Sequence, residues 1–146
     1  MSYATIEAAV KSVIELHADY DSTNVDRNDR RILAGSPARA VVITYNSHTQ
    51  EELTFQRLMV TWNVNVDVYA PWAGEQPNWL ENLDTERQKI IGQIAAYPRL
   101  NAASGVLDAA MVAGATPPPA RAEDGRYVIQ RLTCQVKEVV DPARVE

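Results

Sequence analysis

Residues Leu58–Ala70 read LMVTWNVNVDVYA, and their alternation leaves little choice of local structure. Leu58, Val60, Trp62, Val64, Val66, Val68 and Ala70 fall on one side. Met59, Thr61, Asn63, Asn65, Asp67 and Tyr69 fall on the other. A period of two is that of a β-strand with one face against a core and one toward water. β-Branched and aromatic residues on the apolar side suit a packed, pleated surface. At ~3.3 Å per residue the strand spans roughly 40 Å, whereas strands usually hold about 5–6 residues. It outruns the core of a small domain, so part of it is expected to pair with a hairpin partner or with another subunit.

The neighbouring segments supply the other layers. Ile6, Ala9, Val10, Val13, Ile14, Leu16 and Tyr20 keep helical spacing, which predicts an amphipathic helix from Thr5 to about Asp19, with Ser2 or Thr5 as N-cap. Asp21–Arg31 is dense in turn formers and reads as a loop. Ala40–Tyr45 is a short strand, Asn46–Glu52 a polar connection, and the long strand then completes an antiparallel hairpin. Pro71 ends that strand, and Trp72–Glu81 reads as a loop. Asp84 is placed to cap a second helix, Thr85–Tyr97, whose stripe is Ile90, Ile91, Ile94 and Tyr97 with Leu83 just before it. Pro98 disfavours helical backbone at Tyr97 and closes the helix.

Val106–Ala113 reads as a strand, Gly114–Gly125 with Pro117, Pro118 and Pro119 as an extended segment, and Tyr127–Val140 as a final alternating strand. Asp21–Arg31 and Gly114–Gly125 carry too few apolar residues to offset their ordering entropy, so neighbours are expected to order them. The expected order is α-β-β-α-β-β. It describes one α+β domain over residues 1–146: a single mostly antiparallel, mixed sheet with two helices on one face. Leu58, Val60, Trp62, Val64, Leu132, Cys134, Val136, Ile90, Ile94, Val10 and Val13 are the expected core.

Charge and cysteine usage narrow the function classes. The net charge of −5 disfavours binding to bare nucleic-acid phosphates. No apolar run approaches the roughly 20 residues that span a bilayer. The single cysteine, Cys134, has no internal partner, which fits folding in a reducing cytoplasm.

The motifs of chemistry are missing or incomplete. Asp19, Asp21 and Thr23 imitate the start of a calcium loop, but Asn24 stands where glycine is needed and Arg30 where the closing glutamate belongs. His17 and His48 are far apart and have no cysteine pair with which to build a zinc site. Cys134, on the apolar side of its strand, reads as a small hydrophobe. No phosphate-cradling glycine loop and no nucleophile elbow occurs. The expectation is therefore a protein that is not an enzyme, with no cofactor and no metal. Trp72 and Trp79 lie close together in the Trp72–Glu81 segment. They either fold back on the chain or anchor an interface, where tryptophan is enriched. Arg27, Arg30 and Arg31 are either solvated or bidentate partners for a neighbour's carboxylates.

The succession of elements resembles a known family. A TIEAAVKSVIELH helix, a polar loop, a short strand, a long strand with Trp62, Val64 and Val66, an aromatic and proline loop, the segment TERQKIIGQIAAYPRL and the terminal strand YVIQRLTCQVKEV are similar to the tail-terminator, or tail-completion, proteins of tailed bacteriophages, of the minor tail protein U type. The resemblance runs over most of the chain. It rests on element order and hydrophobic landmarks, and the 21–31 segment and Pro117–Pro119 have no counterpart in it. It implies a homohexameric ring at the capsid-proximal end of the tail tube, in the virion at the tail–neck junction after assembly in the host cytoplasm. Its partners would be the tail tube protein and a neck or head-completion protein, and DNA would pass through the lumen without specific binding. Tyr69, Trp72, Trp79, Arg27, Arg30 and Arg31 are the candidate interface residues. Two alternatives are another neck or head-closure component and a small-molecule-binding α+β domain.

Overall fold

The long strand is the spine of a single sheet. The computed structural model describes residues 2–27, 33, 37–54, 57–72, 78–101, 106–111, 120–121 and 127–140. In chain order these form α1 (Tyr3–Glu15), β1 (Val25–Arg27), β2 (Ala40–Thr54), β3 (Arg57–Pro71), α2 (Asn78–Ala96), β4 (Val106–Met111), β5 (Ala120–Arg121) and β6 (Tyr127–Val140). The strand order is β1-β2-β3-β6-β4, and β5 also pairs with β6. β1 runs parallel to β2, and every other pairing is antiparallel. The fold is α+β with one mixed sheet. β3 is paired along its whole length, by β2 on one side and β6 on the other. That is why so long a strand persists in so small a protein.

Both helices pack on the face that carries the apolar side of β3. From α1 this face receives Ile6, Val10, Val13 and Ile14; from α2 it receives Leu83, Ile90 and Ile94. Across the sheet they meet Val41, Ile43, Val60, Trp62, Val64, Val66, Val68, Leu132, Cys134 and Val136. Every expected core residue is buried except Leu58, which is half-buried near the end of the sheet. The opposite face is polar over most of its length. At one end it carries a second apolar cluster, Ala40, Val42, Tyr69 and Tyr127, with Leu33 and Ile129 against it. There the Tyr127 hydroxyl donates to the Pro37 carbonyl at 2.6 Å.

The element boundaries differ from the sequence expectation in six places. α1 begins at Tyr3 with Ser2 as its cap, the Ser2 Oγ accepting from Thr5 N–H at 3.2 Å, and it ends at Glu15, short of Asp19. Residues 25–27 of the expected 21–31 loop form β1: Val25 is buried and pairs with Val41. Three residues are too few to show a period. The expected Asn46–Glu52 connection continues β2, because its polar side chains stand on a paired but solvated stretch of strand.

α2 starts at Asn78, so Asp84 is interior, paired to Arg87, and the Thr85 hydroxyl donates back to the Glu81 carbonyl at 2.9 Å. Trp79 is therefore a helix residue, not a loop residue. β4 ends at Met111, and Ala120–Arg121 of the expected extended segment is β5; residues 28–31 and the rest of the 114–125 segment lie outside the described residues. The observed order is α-β-β-β-α-β-β-β, with β1 and β5 added to the expected one.

Candidate functional site

The part of the sheet that rises past the helices is the surface that neither core accounts for. Its geometry starts at Glu7, on the buried face of α1. Val41 N–H donates to Asn24 O at 2.9 Å, so Val41, Ile43 and Tyr45 turn their backbone groups toward β1. β1 ends beside Ile43, and at Tyr45 the Glu7 carboxylate accepts the N–H instead, at 2.7 Å. The Arg27 guanidinium lies 3.6 Å from the same carboxylate. Beyond that point, among the described residues, nothing pairs with the outer edge of β2, and Asn46–Glu52 is exposed.

A β-bulge sets which side chains this stretch shows. The register steps from Tyr45↔Val64 to Ser47↔Asn63, leaving Asn46 as the extra residue. Tyr45 and His48, three residues apart, thus share the helix-bearing face. Tyr45 Oη lies 2.6 Å from His48 Nδ1, and the His48 ring lies 4.8 Å from Trp62. The Tyr3 ring adds to the pile at 5.6 Å from Tyr45. Beneath it the Trp62 indole N–H donates to Glu138 at 3.1 Å. On the other face Asn63 Nδ2 donates to Ser47 Oγ at 3.1 Å, above the Arg131–Asp67 pair at 2.8 Å.

The charged groups buried elsewhere hold the fold together. The Glu86 carboxylate accepts the Tyr20 hydroxyl at 2.6 Å, Arg39 Nε at 3.1 Å and Lys89 Nζ at 2.9 Å, tying the turn after α1 and the start of β2 to α2. Burial alone would push its titration up. The hydrogen bonds from Tyr20, Lys89 and Arg39 outweigh that and hold it below the ordinary glutamate value. Burial, reinforced by the bond to Glu86, pushes the Tyr20 phenol up.

The candidate residues do not come together in one place. Tyr69 is buried within the chain, its ring 6.0 Å from Tyr127, so it offers no surface to a neighbour. Trp72 is half-buried and packs against the main core, the fold-back arrangement. Arg27 is committed to Glu7. The Trp79 side chain, Arg30 and Arg31 lie outside the described residues. Asp19 pairs with Lys89 at 3.0 Å, and Asp21 accepts from its own turn at Thr23, so the calcium-like spacing serves local structure. Among the described residues, no three His, Cys, Asp or Glu side chains are grouped as metal ligands would be, and no helix is long and apolar enough to cross a membrane. A groove of about 490 Å³ runs between α2 and β6, lined by Leu80, Leu83, Arg87 and Gln130 among others.

Cys134 is fully buried, and burial pushes its thiol up to about 12. The thiolate is the reactive form. Native protein is therefore expected to leave Cys134 unmodified by an alkylating reagent at mildly alkaline pH, and unfolded protein to react within minutes. Mass spectrometry reads both, and fast labelling of the native chain would mean that β6 opens.

The exposed stretch of β2 is the feature that sequence reading missed. Its only signal was negative: a polar run between two strands without a glycine or proline to turn the chain. Comparison of the sequence with known protein families and with characterised proteins finds no match.

Proposed function

We propose that this chain is a structural component of a phage tail, a terminator that caps the capsid-proximal end of the tail tube as a ring of identical copies and joins it to the neck. The observation that carries the reading is the overhang: nine strand residues from Asn46 to Thr54 stand beyond β1, unpaired on their outer side among the described residues. Natural proteins normally cover such an edge. The order of elements that resembles the tail terminators supports it as well. So does the state of the buried carboxylates: Glu7, Asp67, Glu86 and Glu138 each have a structural partner. The net negative charge suits a lumen from which DNA must leave.

In this reading the protein is not an enzyme, its partners are the tube and neck proteins, and its place is the tail–neck junction. The experiment is electron microscopy of the purified protein and of particles made without it. Rings from the pure protein, with overlong or headless tails in its absence, are the expected result. Normal tails in its absence would overturn the reading.

A further inference from the structure

Among the described residues, the unpaired outer edges of β2 and β4 lie at the same height, and the two strands run in opposite directions. The cross-sheet rows follow from the register. Tyr45 is level with Val64, Cys134 and Met111; His48 with Trp62, Val136 and Ala109; Thr49 with Thr61, Lys137 and Asp108. The uncovered part of β2 therefore stands directly across the sheet from β4. At the other end of the sheet β1 pairs along Val41–Ile43 and β5 along Val128 and Ile129, so β2 and β6 are not themselves the edge there. β2, β3, β6 and β4 alternate in direction, so β2 and β4 are antiparallel.

The backbone alternation matches too. Val41 and Tyr45 donate outward, and the bulge resets the phase so that His48, Gln50 and Glu52 do the same. Carried across the sheet, the same alternation turns the backbone groups of Val106, Ala109 and Met111 away from β6. The Val106 carbonyl is taken by Arg99 at 3.3 Å. Tyr45 N–H is held by Glu7. The His48 level, facing Ala109, is the one where neither edge has a partner among these bonds.

We infer that the outer edge of β2 in one copy pairs, antiparallel, with the outer edge of β4 in the next, with His48 and Ala109 exchanging both backbone bonds. Level edges need no shift along the strands, and a head-to-tail contact of this kind gives a ring where its rotation closes. Helices stay on one side of the continued sheet, and the polar ladder of Ser47, Asn63 and Gln135 stays on the other. The inference rests on the ring reading and specifies how one copy holds the next.

The test uses the full chain. In the pairing described, Thr49 and Asp108 face one another as a non-hydrogen-bonded pair, with Cα atoms about 4.5 Å apart, within disulfide reach. Both are exposed. The double variant Thr49→Cys with Asp108→Cys, oxidised, is expected to run as a ladder that ends at a closed ring, while each single variant gives no ladder. Added to that pair, His48→Pro removes the outward N–H together with the imidazole and is expected to cut cross-linking about tenfold or more, with an unchanged circular dichroism spectrum. His48→Ala, which loses the same imidazole but keeps the N–H, leaves cross-linking within about twofold. Rings seen by microscopy without cross-links, or equal loss in both His48 variants, overturn the seam and leave the ring reading standing. A chain that neither cross-links nor forms rings overturns both.

Discussion

Trp62→Ala is expected to lower the free energy of unfolding by about 3–5 kcal/mol. The indole is 6% exposed, lies 6.1 Å from the Tyr45 ring and 4.8 Å from His48, and donates to Glu138. Truncation leaves a cavity where the overhang joins the core, and it removes a hydrogen bond to a carboxylate that is itself 3% exposed. Trp62→Phe keeps most of the volume and loses the bond, so a smaller cost of about 1.5–3 kcal/mol is expected. Urea denaturation measures both. A loss below about 1 kcal/mol for the alanine variant would place that face of β3 outside the core.

Glu86→Ala comes next, with an expected loss of about 1–3 kcal/mol, because it leaves the buried Tyr20 hydroxyl without its acceptor while Arg39 and Lys89, 31% and 22% exposed, keep access to water. Tyr20, Arg39 and Lys89 all converge on this carboxylate, which is 6% exposed. The pH dependence has a definite sign. The folded-state titration lies below the ordinary 4.5. A group depressed in this way contributes stability above its unfolded value, and the contribution disappears as pH falls through the folded value. Stability measured by urea melts should therefore hold above about pH 4.5 and decline below it. Glu86→Gln should flatten that decline. An equally steep acid limb in the glutamine variant would assign the acid sensitivity to other carboxylates.

Where side chains obeyed a single period, the sequence was readable. β3 and β6 alternate cleanly because one face of each meets the helices, and the predicted Tyr127–Val140 is the observed strand. The stripe Leu83, Ile90, Ile94 marked α2, but its first turns carry Asn78, Glu81 and Asn82, which suit a solvated helix face as well as a loop. β2 was half legible. Its first residues, Ala40–Ile43, are buried on both faces and show as a short apolar run; past Tyr45 the bulge at Asn46 inverts the phase, and both faces are polar. Alternation of hydrophobicity cannot report a strand with no buried side.

The candidate site suffered more. Tyr69 and Trp72 are bulky aromatics near a strand end, and aromatic size does not say whether a ring turns inward. Tyr69 does, onto a second cluster assembled from β2, β3 and β6. The free edge of β2 and its match in height with β4 depend on register between segments about sixty residues apart, which no local pattern encodes.

The strand order has a consequence for how the chain is made. Among the described residues β6 is the last strand in sequence, yet it lies inside the sheet, between β3 and β4. On the ribosome, α1, the β2–β3 hairpin and α2 all emerge while the inner edge of β3 still lacks its partner. Folding as a unit must wait for Tyr127–Val140. A nascent or truncated product ending before Tyr127 would leave Val64 and Val66 on an open strand and would have no place to seat β4. Prematurely terminated chains are thus expected to be insoluble and cleared, and not to enter an assembly as defective members.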